Sequence, residues 1–323
     1  MQAIVVTEFG GPEVLQLREV DDPQPGPGQV RVRIHAAGVN PVETYIRTGT
    51  YARKPALPYT PGTDGAGIVD AVGPGVTRVK PGDRVFLANT LARCSGTYAQ
   101  LAICDEAGVH PLPESVTFAQ GAAIGIPACT AWRALFQKAA ARASEVVLVH
   151  GASGSVGTSA VQLAAAAGLT VIATAGSERG RKLAAEQGAH FVFDHGEEGY
   201  RDRIVEATGG RGPDIILEML ANVNLGHDLA MIAPRGRVVI VGSRGSLELM
   251  PRLFMARDCS AVGMTLFNAN EAEWREITAG VSAALAAGTL RPVVNRRLPL
   301  ARAAEAHQLV MQSGAAGKIV LEP

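Results

Sequence analysis

The chain has 323 residues, about twice a typical domain, so two domains are expected. Hydrophobic residues make up 47% and charged residues 19%, which supplies buried cores and argues against disorder. The 30 basic residues balance the 30 acidic ones and no basic stretch stands out, so nucleic acid is not an expected partner. The start, Met1-Gln-Ala-Ile-Val-Val6, lacks the charged and apolar regions of a secretory signal. No apolar run approaches the roughly 20 residues of a membrane span, and a cytoplasmic protein without membrane contact is expected. Cys94, Cys104, Cys129 and Cys259 form no C-x-x-C pair, so buried or half-buried free thiols are expected rather than a disulfide framework or a zinc site.

The first third reads as β-rich. Alternating segments at Ala3 to Thr7 and Val30 to His35 are separated by Pro/Gly punctuation, including Asp21 to Gly28 and Val79 to Arg84, as in a compact, irregular barrel. Apolar residues at helical spacing from Pro127 to Ala141 predict a helix leading into a second domain. Beyond it strands are predicted at Val146 to Val149, Thr170 to Thr174, Phe191 to Phe193, Asp214 to Leu217, Arg237 to Val241 and Ser260 to Thr265. Helices alternate with them, Ser177 and Asn222 serving as caps, in the order of a doubly wound α/β sheet. Asn270 to Ala287 and Ala301 to Met311 read as helices and Lys318 to Leu321 as a strand. This tail is too small to fold alone and is expected to return to the first domain.

The segment from Glu145 to Gly157, Glu-Val-Val-Leu-Val-His-Gly-Ala-Ser-Gly-Ser-Val-Gly, carries the most chemistry. A buried β-branched strand feeds a G-x-x-G-x-x-G turn that opens a helix. Gly151 permits the tight turn, Gly154 lets backbone N–H groups approach an anion, and Gly157 permits close packing. The helix N-terminus then faces a pyrophosphate. In such folds a carboxylate at the tip of the second strand binds the ribose 2′-hydroxyl and repels a 2′-phosphate. Here Thr170 to Thr174 ends in Ala175-Gly176-Ser177, with Arg179 and Arg181 following, so NADPH is the expected cofactor. A zinc alcohol dehydrogenase needs a metal to stabilise an alkoxide. The loop Ala36 to Tyr45 offers Asn40 in place of a thiolate, and Pro61 to Gly67 supplies Asp64 but no His, so no metal is expected.

These segments are familiar. The runs GVNPVETYIRTGTY (Gly38 to Tyr51), LPYTPGTD (Leu57 to Asp64), GAAIGIP (Gly121 to Pro127), VLVHGASGSVG (Val147 to Gly157), EMLANVNL (Glu218 to Leu225) and VVIVGSRG (Val238 to Gly245) span almost the whole chain. The sequence resembles the medium-chain dehydrogenase/reductase superfamily, in its zinc-free quinone oxidoreductase, or zeta-crystallin, branch. The resemblance implies a GroES-like barrel domain from residues 1–122 and 267–323, a Rossmann domain from 123–266, and an NADPH cleft at their junction. It places Ser153, Gly154, Ser155 and Val156 at the pyrophosphate, and Gly176 and His195 near the adenosine ribose and its phosphate. Asn224, in the loop after the fourth strand, and Val241, Gly242, Ser243 and Arg244 after the fifth would also touch the cofactor. Met264, Thr265 and Leu266 would close over the nicotinamide, Thr130 would pack on its ring, and Lys318 would reach the 2′-phosphate. Asn40, Tyr45 and Tyr51 would flank the reacting ring, Tyr45 touching the cofactor as well, and would bond the acceptor carbonyl.

The implied activity is metal-free electron or hydride transfer from NADPH to a quinone. Orientation in a partly apolar cleft supplies most of the catalysis. Reduction of an enone or 2-alkenal by the same donor is the nearest alternative, and a crystallin-like structural or AU-rich RNA-binding role is one of another class. The apolar edge strand near Ser260 to Thr265 and the resemblance together imply a homodimer or tetramer.

Overall fold

The computed structural model describes residues 1–90, 92–314 and 316–323. Strands run in chain order as β1 (Gln2–Val5), β2 (Gln16–Glu19), β3 (Gln29–Val39), β4 (Asp64–Val72), β5 (Arg84–Leu87), β6 (Leu101–Asp105) and β7 (Val109–Pro111). Then come β8 (Val146–Val149), β9 (Thr170–Thr174), β10 (Phe191–Phe193), β11 (Ile215–Glu218), β12 (Arg237–Ile240) and β13 (Ser260–Gly263), and finally β14 (Val294–Pro299) and β15 (Lys318–Glu322). The chain divides into two compact units, residues 1–127 with 291–323, and residues 128–290.

In the first unit a seven-stranded sheet has the order β14-β15-β3-β4-β5-β7, with β6 also pairing β3, and β1 and β2 form a separate hairpin. The C-terminal tail returns as expected, β15 running antiparallel to β3 and parallel to β14. Alternation in β3 turns Val30, Val32 and Ile34 into one apolar cluster with Val85, Leu87, Tyr98, Ile319 and Leu321.

The second unit holds a six-stranded, wholly parallel sheet in the order β10-β9-β8-β11-β12-β13. This is the doubly wound order with its switch point beside β8. Strands buried on both faces need continuous apolar runs, and Val147, Leu148, Val149, Ile215, Ile216 and Leu217 are all fully buried.

The boundaries differ from the expected divisions after residues 122 and 266. The helix Glu271–Ala286, expected in the first domain, belongs to the second unit. The buried Arg133 guanidinium donates through both terminal nitrogens to Glu273, at 3.2 and 3.3 Å. Trp132 sits so close to Gly280 that a Cβ there would lie 2.1 Å from its indole nitrogen. The predicted Pro127 to Ala141 helix is α-helical over Gly125–Trp132 and continues as π-helix over Arg133–Lys138.

Ser177 caps the helix Glu178–Glu186, its side chain accepting from the Gly180 N–H. Asn222 is not a cap. It lies inside the helix Ala221–Met231, and its Oδ1 accepts from the Arg244 N–H (2.8 Å) and the Ser243 hydroxyl (3.3 Å). Among the described residues no helix is long and apolar enough to cross a membrane.

Candidate functional site

β8 ends at Val149, and the glycine-rich turn follows directly. Gly151 takes φ +58°, a left-handed conformation that glycine adopts without strain. Gly157 lies against the turn itself, where a Cβ would sit 2.4 Å from the Gly151 oxygen and 2.6 Å from Ala152 Cα. The helix Ser155–Ala166 begins after Gly154 with no side chain capping its first turn. An uncapped helix N-terminus behind a glycine turn offers backbone N–H groups and a positive dipole end to an anion, so the turn fits a pyrophosphate. Gly154 and the half-buried Ser155 and Val156 lie at this end. Ser153 is buried, its Oγ close enough to Gly180 of the neighbouring helix that a Cβ there would lie 3.1 Å from it.

At the tip of β9, Gly176 is exposed and the ring of His195 lies over it, so that a Cβ on Gly176 would meet Nε2 at 2.6 Å. The structure thus brings these two together. Arg179 is exposed on the first turn of the next helix. Arg181 differs from expectation: its guanidinium is half-buried and bound to Asp194, which takes it away from a phosphate.

Val241 and Gly242 follow β12 half-buried, with Ser243 and Arg244 exposed behind them. Met264 and Thr265 follow β13 half-buried, whereas Leu266 and Thr130 are buried. Asn224 lies in a helix rather than a loop, and its Nδ2 donates to Glu218 Oε1 at 3.3 Å.

A buried polar network underlies the turn. His150 Nδ1 meets Thr174 Oγ1 at 3.2 Å and its Nε2 meets Asp228 Oδ1 at 2.9 Å, while Glu218 Oε2 lies 3.6 Å from the same Nε2. Glu218 Oε1 accepts from the Leu220 N–H. Glu218 Oε2 and Asp228 Oδ2 are buried without a donor from any other group. Burial above all, then Asp228, pushes Glu218 up to about 7, and burial likewise pushes Asp228 up to about 7. One proton between the two carboxyls satisfies both orphaned oxygens. Burial lowers the His150 pKa below the usual imidazole range, against the opposing charge of Glu218. These three side chains also form the one group of potential metal ligands among the described residues, with ligand atoms within 4.8 Å of one another. The sequence reading missed them, although acids inside the apolar run Glu218 to Leu229 were a visible signal.

In the first unit the expected reactive residues fall into two sets. Tyr45, on the helix Pro41–Arg47, and Tyr51 are half-buried and adjacent, the Tyr51 N–H donating to the Tyr45 carbonyl at 3.1 Å. Asn40 and Lys318 are buried in a polar cluster instead. Lys318 Nζ donates to Asp64 Oδ2 at 2.8 Å and to Asn40 Oδ1, both ion-pair side chains being 1% exposed. Asn40 Nδ2 donates to Asp64 Oδ2 (3.0 Å) and Glu43 Oε1 (3.3 Å). Glu43 Oε2 accepts from the Tyr98 hydroxyl at 2.8 Å, and burial raises Glu43 above the usual carboxylate range. Two expectations are corrected here. Lys318 does not reach a 2′-phosphate, because its ammonium is spent inside the sheet. Asn40 does not bond an acceptor, because its amide is spent on Asp64, Glu43 and Lys318.

Residues 26–114 match the alcohol dehydrogenase GroES-like domain and residues 155–283 the zinc-binding dehydrogenase domain. The quinone oxidoreductase of Homo sapiens is 51% identical over 323 residues, covering 99% of this chain and 97% of its own. The chain belongs to the quinone oxidoreductase family. Within that family the Pseudomonas aeruginosa quinone oxidoreductase is 33% identical, over 98% of this chain and 97% of its own. Among solved structures, Escherichia coli quinone oxidoreductase complexed with NADPH superposes with a TM-score of 0.88 at 28% identity, covering 100% of both chains. An NAD-dependent alcohol dehydrogenase superposes at 0.91 with 32% identity, covering 100% of both chains, so fold similarity does not select the cofactor. The chain is a medium-chain dehydrogenase/reductase with a Rossmann-like sheet and a GroES-like domain.

Proposed function

We propose that this protein reduces quinones with NADPH and without a metal ion. The observation that carries the cofactor choice is the exposed, carboxylate-free tip of β9, followed by Arg179 on the next helical turn. The family relationship carries the acceptor class. NADPH, when bound, supplies the reducing electrons. The N–H groups of the first turn of Ser155–Ala166 hold its pyrophosphate, Arg179 faces its 2′-phosphate, and His195 with Gly176 flanks its adenosine ribose. Tyr45 and Tyr51 supply hydroxyls to an acceptor carbonyl as negative charge develops, and water supplies the protons. The residues around Asn40 favour metal-free chemistry: no thiolate is present, and Asp64 is already paired with an ammonium.

Turnover with NADPH and NADH at matched concentration, on ortho-quinones and on 2-alkenals, tests this reading. A charge-assisted bond from Arg179 is worth about 1.5–3 kcal/mol, so NADPH should be favoured by roughly tenfold or more. Equal efficiency with both cofactors would sink the cofactor choice, and turnover of alkenals alone would transfer the assignment to enone reduction. A dimer is part of the same proposal. β13 ends the parallel sheet, and its free edge is suited to two-fold pairing between copies. Light scattering at micromolar concentration should return at least twice the chain mass, and a monomer mass would refute it.

A further inference from the structure

We propose that Cys94 and Cys104 are a thiol oxidation site that closes to a reversible disulfide, with a hydroperoxide as oxidant. The two residues face each other across an isolated antiparallel bridge. The flanking bonds, Ser95 N–H to the Ile103 carbonyl (2.8 Å) and Asp105 N–H to the Arg93 carbonyl (2.9 Å), bypass both cysteines. They therefore occupy a non-hydrogen-bonded cross-strand pair, where Cα atoms lie about 4.5 Å apart and side chains come closest. That separation falls inside the range of about 4.4–6.8 Å that a disulfide spans. The sulfurs are already 2.7 Å apart, so closure needs a side-chain adjustment and no movement of either strand. The expectation of buried or half-buried thiols holds at Cys104, which is buried, and fails at Cys94, which is exposed.

The two thiols have different roles. The Cys104 S–H donates to Cys94 Sγ. This hydrogen bond lowers the Cys94 pKa, and the same bond together with burial raises that of Cys104. Cys94, the exposed residue of the pair, thus carries the more acidic thiol, and the thiolate is the nucleophile. Its thiolate attacks the terminal oxygen of the hydroperoxide. The O–O bond breaks, an alcohol (water, in the case of hydrogen peroxide) leaves with a proton, and Cys94 becomes a sulfenic acid. Cys104 sulfur then attacks Cys94 sulfur and expels water. In total the two thiols lose two electrons and two protons, and the hydroperoxide takes them up. A dithiol reverses the closure by exchange. The closed loop carries Thr97 and Tyr98, which bond the Asp64 carbonyl (2.8 Å) and Glu43 Oε2 (2.8 Å).

The test is peptide mapping of the full-length protein after brief treatment with hydrogen peroxide, alkylation and digestion. The expected result is a Cys94–Cys104 linked peptide that dithiothreitol dissolves, with Cys129 and Cys259 still alkylated. Cys104→Ser should trap Cys94 as a sulfenic acid that dimedone labels, and Cys94→Ser should abolish the linked peptide and that label. The mapping of the unsubstituted protein stands even where a variant folds poorly. Free thiols at both positions once peroxide has consumed Cys259, or irreversible oxidation of Cys94 with no linked peptide, would overturn the proposal.

Discussion

Replacing Lys318 by methionine should lower folding stability by about 3–5 kcal/mol, the cost of leaving a buried charge without its partner. Methionine keeps most of the aliphatic stem, so the loss is electrostatic rather than a cavity effect. That stem passes over Gly38 of β3, where a Cβ would lie 2.7 Å from Lys318 Cε and 2.9 Å from Asp64 Cβ. Its ammonium ends on Asp64 and Asn40. Asp64 has other donors, since Oδ1 accepts from the Ile126 N–H at 2.7 Å and Oδ2 from Asn40. These neutral donors do not cancel its charge, and Glu43 nearby adds a second acid. Lys318→Met/Asp64→Asn should recover much of the lost stability at neutral pH, because the amide removes the unpaired charge. Urea unfolding of the three proteins at pH 7 measures this. A cost under about 1 kcal/mol for the single variant, or no rescue in the double one, would show that the pair is not what holds the C-terminal strand in place.

How far the sequence could be read depended on whether a feature is local. Val146 to Gly157 declares a buried strand, a turn and a helix start within one stretch, so the dinucleotide-type sheet was legible. The same holds for the cap at Ser177 and for the returning tail. Lys318 and Asn40 lie 278 residues apart, and nothing local to either predicts their contact. Asn40 could be read as the absence of a thiolate but not as a ligand to an internal ammonium. Arg181 and Asp194 meet only because β9 and β10 lie side by side, so both arginines looked available for a phosphate. The Cys94–Cys104 pair depends on register, which spacing alone does not give. The helix at Asn270 was predicted almost to its ends, yet its domain was misplaced, because Arg133–Glu273 and Trp132–Gly280 are contacts between distant segments.

Glu218→Gln should change the pH dependence of stability by about 3 kcal/mol between pH 4 and 7. In the folded chain Glu218 and Asp228 are pushed up to about 7, burial being the main cause, against ordinary values of 4.5 and 3.8. Between those limits the native state keeps a proton that the unfolded chain has lost. Stability therefore falls as pH rises across this window and is level above it. The rise of Glu218 from 4.5 to about 7 corresponds to about 3 kcal/mol. The carboxyls share the proton, so the pair contributes one such step rather than two. His110, depressed to about 4, and His307, depressed to about 3, act in the opposite direction over an overlapping range. The informative quantity is thus the difference between variant and parent, in which those histidines cancel. The amide that Glu218→Gln introduces donates to Asp228 and accepts from the Leu220 N–H without a titrating proton, so the variant should gain on the parent as pH rises. The groups facing the pair are His150, whose pKa burial lowers and Glu218 raises, and Arg201, which acts on both His150 and Asp228. The substitution removes the Glu218 contribution at His150, so the imidazole of the variant is held still further from protonation. Urea unfolding of both proteins across pH 4 to 8 gives the difference directly, and a difference independent of pH would mean that no proton is held between Glu218 and Asp228.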